Sequence, residues 1–311
     1  MDVTDIIDPL NEPQREAVTS AEKPTLVLAG AGSGKTRVLV HRIAWAIRVS
    51  GVAPQHVLAV TFTNKAASEM RERIEALLGF PIRHLWIGTF HGLAHRFLRI
   101  HWREAGLAEG FQIMDSDDQL RMIRRMLKAL ELENEWVPKD LQWFINAQKD
   151  EGLRAKDLKD EGNAGRRQMI ELYARYEKVC ADSSVVDFGE LLLRNLEVLR
   201  DHEDLLRQYR ERFRHLLVDE FQDTNAIQYR WLKLLAGKQG TPFVVGDDDQ
   251  SIYRWRGARV ENLLRFQQDF PGTQVIRLEQ NYRSTATILN AANAVIANNT
   301  SRLGKTLWTD G

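Results

Sequence analysis

Apolar residues gather along this chain in two different rhythms. Six short runs, at 25–30 (TLVLAG), 56–63 (HVLAVTFT), 85–90 (LWIGTF), 215–221 (HLLVDEF), 242–249 (PFVVGDDD) and 273–280 (TQVIRLEQ), are rich in Val, Leu and Ile and break off at glycine, polar or acidic residues. Their length and β-branched content predict buried strands of a parallel sheet. Helical patterns follow them, as at 35–47 and 64–78, so the repeating unit is strand then helix and the fold class is α/β. Ligands are then expected at the carboxyl ends of the strands.

Between about 114 and 200 the rhythm changes to charged, strand-poor segments of helical period: 117–132, 139–153, 166–179 and 188–199. Strand signals resume afterwards. The chain therefore reads as an α/β domain interrupted by an all-helical insertion, with the first domain segment at 1–113, the insertion at 114–200 and the second segment at 201–277.

Composition narrows the picture less than pattern does. The 311 residues carry 43 Lys+Arg against 43 Asp+Glu, so no global charge points to nucleic acid or to an anionic membrane, and any DNA contact must rest on local features. The N-terminus carries Asp2, Asp5 and Asp8 instead of a basic and then apolar leader, and no apolar run reaches the length of a membrane span; a cytoplasmic location is expected. The single cysteine, Cys180, excludes an internal disulfide and is expected to pack between helices.

Two motifs carry chemistry. AGAGSGKT at 29–36 places a glycine-rich turn between a strand and a helix, the arrangement that cradles a triphosphate. Ala29, Gly30, Ala31, Gly32, Ser33 and Gly34 would present backbone N–H groups to the phosphates, Lys35 would reach the β and γ phosphates, and the Thr36 hydroxyl would ligate Mg²⁺. A glycine is usual where Ala29 stands. LLVDEFQD at 216–223 then supplies Asp219 for the metal and Glu220 as general base toward the attacking water. The expected cofactors are ATP and Mg²⁺.

Taken with LNEPQREAV (10–18), TFTNKAA (61–67), GTFHGLAHR (88–96), VVGDDDQSIYRWRGA (244–258) and LEQNYRS (278–284), these strings resemble the ordered motif series of UvrD-like superfamily 1A DNA helicases, the UvrD, Rep and PcrA group. The resemblance covers nearly the whole chain. It implies a RecA-like P-loop NTPase domain, with the start of a second RecA-like domain at 278–311. It also implies that Gln14 reads the adenine edge, Arg37 lies near the nucleotide, Tyr282 stacks on the base, Arg283 contacts the γ-phosphate and Gln250 senses it. For single-stranded DNA it implies Phe62, Asn64, His91, Phe188, Tyr253, Trp255 and Arg256, contacts of the stacking kind that tolerate any sequence. Independently, 76–103 carries Arg83, Arg96, Arg99, Arg103 and four histidines without one acidic residue, a local basic segment.

The implied function is an ATP-dependent 3′→5′ DNA helicase acting in mismatch and nucleotide excision repair, with single-stranded DNA and strand junctions as partners. Members of the family are more than twice as long. The 311 residues are therefore expected to hold the ATP-binding half of the motor, to lack the second domain's arginine, and not to unwind DNA unaided. An ATP-modulated single-strand-binding module and part of a helicase–nuclease subunit remain as alternatives. Pathway, partner proteins and oligomeric state are not legible in the residues.

Overall fold

A computed structural model describes residues 2–238, 240–251, 257–298 and 303–310. Along the chain come α1 (Thr4–Ile7), α2 (Glu12–Thr19), β1 (Thr25–Ala29), α3 (Lys35–Arg48), β2 (Val57–Thr61), α4 (Asn64–Leu78), β3 (Trp86–Thr89) and α5 (Phe90–Ile100). Next are β4 (Gln112–Ile113), α6 (Ser116–Ala129), α7 (Pro138–Asp150), α8 (Ala164–Asp182), β5 (Val185–Val186), α9 (Phe188–Asp201) and α10 (Glu203–Arg212). The remainder is β6 (His215–Val218), α11 (Ala226–Ala236), β7 (Phe243–Gly246), α12 (Glu261–Asp269), β8 (Gln274–Leu278) and α13 (Ala286–Ile296).

The chain divides into two compact units, one of residues 1–90, 204–224 and 232–311, the other of residues 91–203 and 225–231. The first holds a six-stranded sheet in the order β3-β2-β6-β7-β1-β8, every pairing parallel. All six apolar runs become its strands. β1 and β2 are buried at every position, which is why their sequences are continuously apolar instead of alternating. Core residues of α3 (Val38, Leu39, Ile43) and α4 (Met70, Ile74) pack with Val27, Val57 and Val245 of the strands. Residues 278–311 belong to this same unit: β8 is an edge strand bonded to β1, from Thr25↔Gln274 to Ala29↔Leu278.

The second unit starts at His91, so α5 groups with the helical segments rather than with the sheet. Ile123, Leu127, Leu141, Ile145, Tyr173 and Tyr176 form its core, with Cys180 buried beside them and its thiol pushed up to about 11, chiefly by that burial. The unit is not all-helical, as the sequence pattern suggested. β4 and β5 pair in parallel, Gln112↔Val185 and Ile113↔Val186. Strands of two residues leave no periodicity to detect. In this unit Lys149, 2% exposed, sits between Asp187 Oδ2 at 2.8 Å and Glu190 Oε2 at 3.0 Å, and Arg154 pairs with Glu177, Glu190 and Glu197.

Candidate nucleotide and DNA site

Strand order dictates which loops meet. Because β6, β7, β1 and β8 are consecutive in the sheet, their carboxyl ends set four loops side by side: 219–224, 247–251, 30–34 and 279–285. This is the edge where parallel sheets bind ligands.

The glycine-rich turn leaves β1 with Ala29 still in the strand and fully buried, so alanine fits where a turn position would demand glycine. Gly32 (φ 68°) and Gly34 (φ 88°) adopt left-handed backbone, and a Cβ on Gly32 would lie 2.7 Å from Arg283 Cβ. Ser33 folds inward, its hydroxyl donating to the Gly30 carbonyl at 2.8 Å, so its contribution to a phosphate is limited to its N–H. α3 starts at Lys35 with no side-chain cap, which leaves first-turn N–H groups pointing at the place a phosphate would take. Thr36 sits half-buried in that first turn.

Two other segments close on the turn. Asn11 caps α2, and Gln14 completes a capping box, accepting the Asn11 N–H at 3.2 Å while its Nε2 donates to the Ser33 carbonyl at 2.8 Å. Arg37 is exposed, its guanidinium reaching the Pro9 carbonyl at 3.5 Å. From the β8 side, Asn281 Nδ2 donates to the Ala31 carbonyl and the Tyr282 N–H donates to the Gly32 carbonyl at 3.0 Å. The Tyr282 hydroxyl accepts from Asn11 Nδ2 at 2.8 Å, which brings Gln14, Arg37, Tyr282 and Arg283 to one rim of the turn.

Opposite them, Asp219 and Glu220 follow β6. Lys35 Nζ donates to Glu220 Oε2 at 2.8 Å. Glu220 carries φ 47°, a left-handed conformation that costs a non-glycine residue energy and recurs at functional sites. Burial, then the neighbouring Glu220 charge, pushes the Asp219 carboxyl up to about 7, with Lys35 pulling the other way. A buried carboxyl and a hydroxyl are oxygen donors of the kind Mg²⁺ prefers, so Asp219 and Thr36 fit that ion by chemistry. Asp223 is similarly pushed up to about 6, by burial and then by Glu220.

After β7, the Gln250 Nε2 donates to Asp247 Oδ2, so this amide turns toward its own loop. Asp247, Asp248 and Asp249 could together hold a cation, but Lys305 Nζ already sits among them at 2.5, 2.9 and 2.7 Å. Burial opposes that ammonium, yet Asp247 foremost holds its pKa above the usual lysine value. Sequence reading missed Lys305, Asn281 and Gln222. Lys305 lies in no motif, and nothing in the local pattern foretells a partner 57 residues away.

The DNA candidates are only partly assembled. In the first unit, Phe62 stands edge-on to Phe90 with ring centroids 6.4 Å apart, and Asn64 is exposed at the start of α4. In the second, His91 and Phe188 meet at 6.0 Å with perpendicular rings; burial lowers the His91 pKa, keeping it a neutral ring, and Phe188 is 50% exposed. Two of the arginines read as a basic stretch lie over aromatic rings, Arg99 over Phe111 and Arg103 over Trp102. Tyr253, Trp255 and Arg256 lie outside the described residues.

Comparison with known proteins places this geometry in a lineage. The profile described as "UvrD/REP helicase N-terminal domain" matches residues 10–271. The chain is 57% identical to DNA helicase II of Escherichia coli (strain K12), covering 100% of this chain and 43% of that protein. It is 47% identical to the probable DNA helicase II homolog of Rickettsia conorii, covering 98% of the chain and 47% of that protein. To the ATP-dependent DNA helicase PcrA of Bacillus subtilis (strain 168) it is 43% identical, covering 98% of the chain and 42% of that protein. The chain thus spans less than half the length of the curated relatives it matches.

Proposed function

Because this chain belongs to the UvrD/REP helicase family, we propose that it is the ATP-hydrolysing part of a DNA helicase that moves along single-stranded DNA. The observation that carries this reading is the 2.8 Å contact between Lys35 and Glu220, which joins the phosphate-binding turn to the acidic strand end. With ATP bound, Lys35 turns to the phosphates and releases Glu220, whose carboxylate then orients and takes a proton from the attacking water. N–H groups of 30–36 bind the β and γ phosphates. Gln14 binds the adenine edge after exchanging its bond to Ser33, and Tyr282 stacks on the base from the same rim. Arg283 neutralises charge on the γ-phosphate, and Gln250 exchanges Asp247 for that phosphate. Thr36 and Asp219 would hold Mg²⁺, which supplies positive charge to the phosphate oxygens as the bond breaks.

Single-stranded DNA is assigned to Phe62, Asn64, His91, Phe188, Tyr253, Trp255 and Arg256, and strand junctions are the expected duplex partner. Translocation in the 3′→5′ direction and a role in mismatch and nucleotide excision repair follow from the family resemblance. Strand separation requires two motor domains moving against each other. The domain division at 1–113, 114–200, 201–277 and 278–311 is part of the same reading, the last segment being the start of that second domain. No helix among the described residues is long and apolar enough to cross a membrane. The test is ATP turnover with and without single-stranded DNA, beside a Lys35→Ala control. DNA-dependent turnover absent from the control supports the reading; nucleotide binding unaffected by Lys35→Ala overturns it.

A further inference from the structure

A hydrogen-bonded path links Glu220, the proposed general base, to the neighbouring strand end through a residue with no role so far. Glu220 Oε2 accepts from two donors, Lys35 Nζ and Gln222 Nε2, each at 2.8 Å. Gln222 is 1% exposed, and its Oε1 accepts the Asp247 N–H at 2.9 Å. A backbone N–H can only donate, so the amide has one orientation: oxygen toward β7, NH₂ toward Glu220. The residue before Asp247 is fitted to this amide. A Cβ on Gly246 would lie 3.0 Å from Gln222 Oε1 and 3.3 Å from Gln222 N. Beyond Asp247 the path continues through its carboxylate to Gln250 Nε2 and Lys305 Nζ.

We propose that Gln222 is a positioning residue for Glu220, holding one carboxylate oxygen in place when Lys35 departs for the nucleotide, and tying that position to the strand end that carries Gln250. The inference rests on Glu220 being the general base. Of the two side chains that grip Oε2, Lys35 is the one a triphosphate competes for; Gln222 is neutral and buried and stays. Its grip leaves the other oxygen, Oε1, to face the water. With Lys35 gone and no amide in its place, a carboxylate on this left-handed backbone would rotate, and misplacement of a base by a fraction of an ångström is costly in rate while leaving substrate binding alone. Because one amide serves both neighbours, displacement of the 247–250 loop is felt at Glu220 without any contact between Gln250 and the base.

Two substitutions separate positioning from simple structural support. Gln222→Leu removes both bonds at similar volume. Gln222→Glu, assayed at alkaline pH where its carboxyl is ionised, keeps the acceptor for Asp247 and removes the donor to Glu220. The readout is single-turnover hydrolysis by this chain across ATP concentrations, with fluorescent-nucleotide affinity and thermal unfolding measured alongside. Both variants are expected to lose about 10- to 100-fold in rate at saturating ATP, with nucleotide affinity held within about twofold. A Gln222→Glu chain that hydrolyses ATP at the wild-type rate would overturn the proposal, because only the tie to Asp247 would then matter. Loss of affinity in step with rate would overturn it as well, by revealing a general structural role. Should the glutamate variant not fold, Gln222→Leu decides on the same two readouts. Wild-type hydrolysis no faster than Lys35→Ala would instead overturn the ATPase reading itself, and the role of Gln222 with it.

Discussion

The Lys35 ammonium and the Glu220 carboxylate are held 2.8 Å apart, although they come from residues 185 positions apart, one at the start of α3 and one just after β6. On the proposed reading, Glu220 holds the Lys35 ammonium until the phosphates of ATP take it. The two halves of the pair should therefore fail differently. Lys35→Ala removes the group that reaches the phosphates and should abolish measurable ATP affinity. Glu220→Gln should leave ATP binding intact and lower turnover by about 10²- to 10⁴-fold, the usual contribution of a general base. Fluorescent-nucleotide titration beside steady-state hydrolysis checks both, and equal loss of affinity in the two variants would contradict the assignment.

Lys305 makes a stability prediction of its own. Its ammonium is buried among Asp247, Asp248 and Asp249. Lys305→Met leaves those carboxylates close together without their shared cation, and removing one member of a buried ion cluster costs about 3–5 kcal/mol. Chemical denaturation should register that loss. A midpoint unchanged in the methionine variant would mean that the cluster is hydrated enough to need no lysine.

Much of this was legible in the residues, for identifiable reasons. β1, β2 and β7 were readable because they are buried at every position and so are apolar without interruption, while the edge strand β8 kept enough Val, Ile and Leu to be read despite its exposed Arg277. Lys35, Asp219 and Glu220 could be singled out because phosphate chemistry favours those residue types after a strand, and the structure brings Lys35 and Glu220 together. What escaped was pairing at long range. Gln222 lay inside a quoted motif, but its importance comes from Asp247, which only the strand order β6-β7 makes a neighbour. β4 and β5 escaped because two residues cannot show a period, and Ser33 turned out to spend its hydroxyl on its own loop.

The buried ion network of the second unit predicts a defined pH range of stability. Burial disfavours charge on Glu190, but Lys149 and Arg154 hold its pKa far below the ordinary 4.5; a depressed acid stabilises fully above its unfolded value and loses that contribution as pH falls below it. Lys149, despite burial, is held above its ordinary 10.5 by Glu190 and Asp187, so its contribution is complete below that value and fades as pH rises past it. Asp150 has the opposite sign, raised to about 6 chiefly by burial, so it erodes stability as pH climbs from 3.8 toward 6. Unfolding midpoints measured from pH 4 to 11 should be lost at both ends, and Asp150→Asn should flatten the slope between 4 and 6. A Glu190→Gln chain that keeps the acid limb unchanged would assign that limb elsewhere.

Phe188 separates DNA binding from folding. It is the first residue of α9, half-exposed, with its ring edge-on to His91 in the same unit. An aromatic ring half in water, outside the buried core cluster of the unit, contributes little to folding, so Phe188→Ala should change thermal stability by no more than about 0.5 kcal/mol. Stacking of a base on such a ring is worth about 1–3 kcal/mol. Single-stranded DNA affinity should therefore fall by roughly 5- to 150-fold in the alanine variant, and Phe188→Trp should restore it, since every base can stack on either ring. Fluorescence anisotropy with a labelled oligonucleotide distinguishes the outcomes. Retained affinity would remove Phe188 from the DNA path, and loss of affinity matched by loss of stability would return it to the packing of α9.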